Sequence, residues 1–255
     1  MIRIVNLTKC FGKHKALDNL NLEIPAGEIF AFIGPNGAGK TTTVKLLSGL
    51  LKPTSGSVSI CGYDVQKEHI KVKKIIGLLP DRPFIYSKLT GIEFLQIIGD
   101  IYGIPGNEQK SRIPELITMF GMDEFINELI ESYSHGMRQR LILASILLRQ
   151  PKVLILDEPL VGLDPKMARL VKDMFIELSN RGITIFMCTH ILELAEKLSH
   201  RIGIIDNGRL IALGSKEELI EKLKGTASLE DIYLKLTNAS QMGTEETNTN
   251  GDGGN

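Results

Sequence analysis

The sequence predicts an α/β fold with a mainly parallel core sheet, an antiparallel β layer near the N-terminus and an inserted α-helical subdomain. Three observations carry that prediction. Ile2–Val5, Leu20–Ile24 and Ser57–Ile60 alternate apolar and polar residues at period two, as strands with one wet face do. Ile29–Ile33, Ile75–Leu79, Val153–Leu156, Ile183–Met187 and Ile202–Ile205 are instead apolar runs, as expected of strands covered on both faces by helices. From about Leu89 to Arg149 the periodicity turns helical, with Ile92, Leu95, Ile98 and Ile101 on one stripe, so a helical segment of about 89–149 interrupts the core.

The remaining elements follow in chain order. A helix opens after Gly39 with Val44, Leu47 and Leu51 on its apolar side. Asp164-Pro165 reads as an N-cap followed by proline in the first turn, and Met167, Leu170, Val171, Met174, Phe175 and Leu178 recur at helical spacing behind it. Ser215 to Glu218 reads as a capping box. One domain over 1–237 is expected, and residues 238–255, rich in Asn, Thr, Gly and Glu, have too little to bury and are expected to be a disordered tail.

Composition narrows the function. The 255 residues are 43% hydrophobic and 24% charged, which excludes collagenous, coiled-coil and disulfide-scaffold classes. Thirty Lys and Arg balance thirty Asp and Glu, so no global charge draws the chain to nucleic acid, and no nucleic-acid partner is expected. Cys10, Cys61 and Cys188 are too dispersed for a metal knuckle and read as small buried hydrophobes in a reducing compartment. The start shows no basic stretch followed by an apolar one. The longest apolar segment, Leu141 to Leu148, is closed by Arg140 and Arg149 and falls well short of the ~20 residues a bilayer span needs; the expectation is a chain neither secreted nor itself membrane-spanning.

The strongest local signal is Gly34-Pro35-Asn36-Gly37-Ala38-Gly39-Lys40-Thr41-Thr42, a phosphate loop (Walker A) between an apolar strand and a helix. Without side chains at Gly34, Gly37 and Gly39 the backbone can curl its N–H groups around phosphates; Lys40 can reach the β and γ oxygens and the Thr41 hydroxyl can ligate Mg²⁺. The core is therefore of the P-loop NTPase type. Asp157 and Glu158 end a buried strand (Walker B), where open α/β sheets place their ligands. Asp157 suits Mg²⁺, and Glu158 suits the base that polarises the water attacking the γ-phosphate.

With these motifs in this order, the chain resembles the nucleotide-binding subunit of ATP-binding cassette (ABC) transporters from Ile2 to about Thr237. Ser134-His135-Gly136-Met137, after Tyr133, is similar to that family's Leu-Ser-Gly-Gly-Gln signature, departing from it at Tyr133, His135 and Met137. The resemblance implies that this segment completes the ATP site of a second protomer in a head-to-tail dimer, a homodimer by expectation. It also implies that Phe11 stacks on adenine, the alternative being a core phenylalanine. Asp164 resembles the D-loop acid that couples the two sites, and can cap its helix as well. His190 resembles the switch histidine at the γ-phosphate, whereas His14, His69 and His200 read as structural. Asp81 stands where the family carries the Q-loop glutamine, as a further Mg²⁺ candidate or a plain loop acid.

The cofactors implied are ATP and Mg²⁺. The implied partner is a separate membrane-spanning permease docking at about 82–102, which would place the chain in the cytoplasm, peripheral on the inner face of the cell membrane. The form of the signature, the acid at 81 and the ending Ser228 to Thr237 look like the exporter branch serving drugs, antibiotic peptides and similar cargo. The alternative is an ATP-driven dimer acting on soluble machinery.

Overall fold

The computed structural model describes residues 1–81, 83–222 and 228–245, and the two kinds of strand separate there into two sheets. In chain order, β1 (Ile2–Phe11) and β2 (His14–Ile24) form a hairpin, β3 (Ile29–Ile33) leads into α1 (Lys40–Leu47), and β4 (Ser55–Ile60) and β5 (Tyr63–Asp64) return to the hairpin. Next, α2 (His69–Ile75) leads to β6 (Ile76–Leu79), and α3 (Gly91–Ile101), α4 (Gly106–Met119) and α5 (His135–Leu148) form the helical insert. The core resumes with β7 (Val153–Asp157), α6 (Pro165–Asn180), β8 (Thr184–Thr189), α7 (Leu192–Leu198) and β9 (Arg201–Asp206). It is followed by β10 (Arg209–Gly214), α8 (Lys216–Lys222) and α9 (Leu229–Glu245).

The alternating segments pair antiparallel in the order β2-β1-β4-β5, and the apolar runs form a sheet ordered β10-β9-β3-β8-β7-β6. From β9 to β6 the neighbours are parallel. Every residue of β3, β7 and β8 is buried, which explains why these runs do not alternate. Phe30, Phe32 and Phe186 cluster on the sheet face toward the antiparallel layer, their ring centroids 5.5–6.4 Å apart. Fully burying a side chain of this size contributes about 1.5–3 kcal/mol.

On the opposite face, α5 carries Leu141, Ala144 and Leu148 at 0% exposure and packs against α3, α4 and β6. The helical insert and the sheet thus share one hydrophobic cluster, from Phe94 and Phe120 through α5 to Leu79 and Leu154. Helix α3 starts at the Thr90 capping box and α6 at Asp164, whose side chain accepts from the Met167 N–H at 2.9 Å. Helix α8 has the expected box, with Ser215 Oγ accepting from Glu218 N–H at 3.2 Å and Glu218 Oε2 accepting from Ser215 N–H at 3.0 Å.

Four details differ from the sequence reading. Ile101 is 69% exposed, because an i, i+3 series turns back about 60° per step and leaves the buried stripe held by Phe94 and Leu95. Cys10 and Cys61 are half-buried, since they close strand ends; Cys188 alone of the three is fully inside. Strand β10, which the apolar pattern does not predict, folds back on β9 through Asn207 (φ 46°) and Gly208 (φ 76°). Helix α9 continues to Glu245, inside the segment expected as a tail from 238, while residues 246–255 of that segment lie outside the described residues.

Candidate nucleotide site

Parallel strands bring their carboxyl ends to one edge of the sheet, and neighbouring strands β3, β8, β7 and β6 each deliver part of the site there. The phosphate loop leaves β3, Thr189 and His190 end β8, Asp157 and Glu158 end β7, and Pro80 and Asp81 follow β6. These residues are far apart in sequence and adjacent in space because the strands are in register.

The loop glycines have separate physical reasons. A Cβ on Gly34 would stand 2.2 Å from the Ile205 carbonyl oxygen, and one on Gly39 would stand 2.6 Å from the Ala16 carbonyl oxygen. Gly37 faces open space but holds φ at +83°, where L side chains are strained. The loop is tightened by Ala38 N–H donating to Pro35 O at 3.2 Å. Lys40 is buried, its ammonium donating to the carbonyls of Gly34 at 2.6 Å and Pro35 at 3.0 Å, so the charge sits in the concavity of the loop. No side chain caps the start of α1, in contrast to α3, α5 and α6, so its first N–H groups point into the loop.

Asp157 is 3% exposed and accepts from the Thr41 hydroxyl at 3.0 Å. Burial holds its carboxyl above the usual range; the Thr41 bond opposes this, and the charges of Asp81 and Glu158 reinforce it. An exposed hydroxyl beside a buried carboxylate, with the Asp81 and Glu158 charges nearby, offers the hard oxygen donors that fit a divalent cation such as Mg²⁺.

Among the described residues Glu158 is one of six non-glycine residues with a left-handed backbone, φ +53°, which costs about 1–2 kcal/mol. Its carboxylate is held on both oxygens. Oε1 accepts from the His190 main-chain N–H at 3.0 Å and from His190 Nδ1 at 2.7 Å, and Oε2 accepts from the Thr189 hydroxyl at 3.1 Å. An ionised carboxylate only accepts, so the bond places a proton on Nδ1 of His190.

Lys40, Thr41, Asp81, Asp157, Glu158 and His190 line one cavity of about 450 Å³, together with Phe11, Asn36, Gly37, Gly39, Thr42, Ala16 and Val161. Phe11 is 48% exposed with the Lys9 ammonium 5.0 Å from its ring, which removes the core alternative for this residue. His14 also lines the cavity, contrary to its structural reading, because the β1–β2 hairpin pairs it directly with Phe11. His200 does act structurally, its Nδ1 accepting from Ile29 N–H at 2.9 Å, and Arg82 lies outside the described residues. Gly34, Pro35 and Ala38 shape the loop from behind without lining the cavity.

The signature residues are elsewhere. Ser134 caps α5, its hydroxyl accepting from Met137 N–H at 3.3 Å, and His135, Gly136 and Met137 form the first turn. Asp164 caps α6; its carboxyl is held below the usual range chiefly by the Met167 N–H, with the Arg140 charge assisting. None of Ser134, His135, Gly136, Met137 or Asp164 lines the phosphate-loop cavity of its own chain.

Residues 17–161 match the family described as ABC transporter. The chain belongs to that family. It is 36% identical over 237 residues to the linearmycin resistance ATP-binding protein LnrL of Bacillus subtilis, covering 93% of this chain and 75% of LnrL. It is 41% identical over 215 residues to the bacitracin transport ATP-binding protein BcrA of Bacillus licheniformis, covering 83% of this chain and 68% of BcrA. Among solved structures, an ATP-binding subunit of an ABC transporter superposes with a TM-score of 0.88 at 30% identity, covering 92% of this chain and 99% of that one. The dimeric post-hydrolysis state of the cassette MJ0796 bound to ADP and Pi gives a TM-score of 0.77 at 27% identity, covering 84% and 98%. The ABC chain is thus an ATP-binding cassette ATPase, with the α/β core, antiparallel layer and helical insert expected of it.

Proposed function

We propose that the chain is the ATP-hydrolysing subunit of a membrane exporter, with Glu158 as base and His190 as the group that orients it. The observation that supports this most is the convergence of Lys40, Thr41, Asp157, Glu158 and His190 on one cavity, with Glu158 clamped on both carboxylate oxygens. In this reading Phe11 stacks on the adenine, and the N–H groups of Gly37 to Thr42 and the Lys40 ammonium receive the phosphates. Thr41 and Asp157, with Asp81 lining the same cavity, would hold Mg²⁺, which when bound would supply positive charge to offset that of the phosphates. Water attacks phosphorus in line, its proton passes to Glu158, and the bond to the ADP oxygen breaks; inorganic phosphate and ADP leave.

The signature lies outside the cavity of its own chain, so Ser134 and Gly136 serve the nucleotide of a second protomer, and two chains close on two ATP molecules. Hydrolysis reopens the pair, a population shift driven by a ligand that favours the closed state. The permease docks beside Asp81 and α3, where Phe84, 86% exposed and edge-on to the exposed Tyr86 ring, lines a cavity of about 310 Å³ with Phe94, Ile98, Tyr102 and Arg149. Through it the chain sits on the inner face of the membrane. The names of LnrL and BcrA, and of the daunorubicin resistance ATP-binding protein DrrA of Streptomyces peucetius at 37% identity over 245 residues, support a drug or antibiotic-like cargo.

The test is affinity capture of the Glu158→Gln chain from detergent-solubilised native membranes with Mg²⁺-ATP present. A polytopic membrane protein in comparable amount is the expected result. Recovery confined to the soluble fraction, alone or with ribosomes or DNA, overturns the transport assignment and favours soluble machinery.

A further inference from the structure

The loop that carries Glu158 away from the sheet, residues 158–164, is fastened to the first two turns of α5. Gln139, 4% exposed, donates from Nε2 to the Pro159 carbonyl at 3.1 Å. Gly136 approaches the loop so closely that a Cβ there would stand 2.9 Å from the Gly162 carbonyl oxygen. The His135 ring lies over Gly162, where a Cβ would fall 2.0 Å from Cδ2. The loop's own hydrogen bonds are long, Val161 N–H to Glu158 O and Leu163 N–H to Leu160 O both at 3.3 Å, and Val161, Gly162 and Asp164 are exposed. Its position is therefore set from α5 more than from within.

We infer that Gln139 is a positioning residue that links the two ATP sites of the dimer through the body of one protomer. The inference rests on the proposed site. There, the N-terminus of α5 meets the partner's nucleotide, and Pro159 is bonded to Glu158, which acts on the chain's own nucleotide. A hydrogen bond of 3.1 Å is lost once its ends separate by about another half ångström. The first turns of α5 and the Pro159 carbonyl must then move together or part. When the partner's γ-phosphate draws the start of α5 toward it, Gln139 carries Pro159 and the main chain of Glu158 along. Misplacement of a reacting group by about 1 Å costs up to ~10²-fold in rate, so a link of this stiffness is enough to make one site report on the other. The burial of Gln139 matters here: no water competes for the Pro159 carbonyl, so the bond is not exchanged for a bond to solvent as α5 shifts.

Two variants of the full chain test it. Gln139→Leu keeps the volume and removes the donor; Gln139→Glu keeps the shape and puts an acceptor against the carbonyl unless it is protonated. Binding of a fluorescent ATP analogue to the Gln139→Leu chain is expected within about twofold of the parent, because the phosphate loop is untouched. Its kcat is expected to fall about 10- to 100-fold, and the Hill coefficient for Mg²⁺-ATP, above 1 in the parent, to fall to 1. For Gln139→Glu the ratio of its rate to the parent's is expected to rise as pH is lowered from about 8 to about 6, since the protonated carboxyl donates to Pro159 as the amide does.

A Gln139→Leu chain that keeps the parent's Hill coefficient overturns the link, whatever its turnover, because a merely structural role changes rate without changing cooperativity. If that variant does not fold, a Gln139→Glu ratio flat with pH overturns it instead. A parent chain that forms no ATP-driven dimer overturns the reading of the site, and the link with it.

Discussion

If His190 acts through Glu158, the two substitutions Glu158→Gln and His190→Ala must fail to multiply. The geometry sets the sizes. A general base contributes about 10²–10⁴ in rate, or about 2.7–5.5 kcal/mol of transition-state stabilisation. Glutamine can keep the clamp, its amide oxygen accepting from the two His190 donors and its amide N–H donating to the Thr189 hydroxyl, so the loss in Glu158→Gln is a loss of basicity and not of position. His190→Ala removes the 2.7 Å bond from Nδ1 but leaves the main-chain N–H of residue 190 and the Thr189 hydroxyl in place. A hydrogen bond to a charged group is worth about 1.5–3 kcal/mol, and with the His190 side chain 61% exposed the lower end applies, about tenfold in rate. Independent roles give a double variant about tenfold slower than Glu158→Gln. A shared role gives a double variant no slower than Glu158→Gln, since without a base there is nothing for the imidazole to orient. The assay is phosphate release at saturating Mg²⁺-ATP for the four chains of the cycle. A multiplicative double variant refutes the assignment of His190 as a positioning group and leaves it a direct contact of its own with the nucleotide.

Two further outcomes follow from the same cavity. Because burial raises the Asp157 carboxyl, the folded chain binds that proton more tightly than the unfolded chain; stability contributed by the protonated form is lost as pH rises through the folded pKa, and Mg²⁺ restores it by binding the ionised form. Mg²⁺-ATP is therefore expected to raise the Tm more at about pH 8 than at about pH 5, and Asp157→Asn, which keeps an acceptor for Thr41, to raise the ligand-free Tm by about 2 °C or more while abolishing Mg²⁺-dependent turnover; a lower ligand-free Tm in scanning fluorimetry refutes this. Phe11→Ala is expected to raise KM for ATP about two- to tenfold with kcat and Tm unchanged, as befits a half-exposed ring contributing about 0.5–1.5 kcal/mol by stacking; an unchanged KM removes adenine from Phe11.

The site was legible in the sequence wherever its parts are local. Gly34 to Thr42 announces itself because strand, turn and helix are consecutive, and Asp157 and Glu158 because a run as apolar as Val153–Leu156 has one place in such a sheet. What depended on pairing was not legible. His14 enters the cavity only because a two-residue turn sets it opposite Phe11, and a lone histidine three residues from a phenylalanine gives no such signal. Strand β10 is not legible although its turn is: Asn207-Gly208, both with positive φ, is the favoured dipeptide of a tight hairpin, but Arg209–Gly214 is an edge strand without clear alternation. The stripe drawn through Ile101 failed for geometry alone, since three steps of i, i+3 carry a residue half-way round the helix.

The same division between local and tertiary information explains why the coupling between sites is carried by an inconspicuous residue. Helix α5 reads as an apolar segment with Arg138, Gln139 and Arg140 at its polar start, and nothing in that pattern separates Gln139 from a solvated amide. In the fold Arg138 reaches back to the Glu131 carbonyl and Arg140 to the carbonyls of Phe120 and Gly121, so both guanidinium groups brace α5 within the helical insert. Gln139 alone of the three turns across to the β7 edge and the Pro159 carbonyl. Binding chemistry needs groups that converge on one ligand, and such groups cluster in short motifs. Coupling needs one rigid contact between two clusters, and that contact is defined by burial and direction, which only the folded chain supplies.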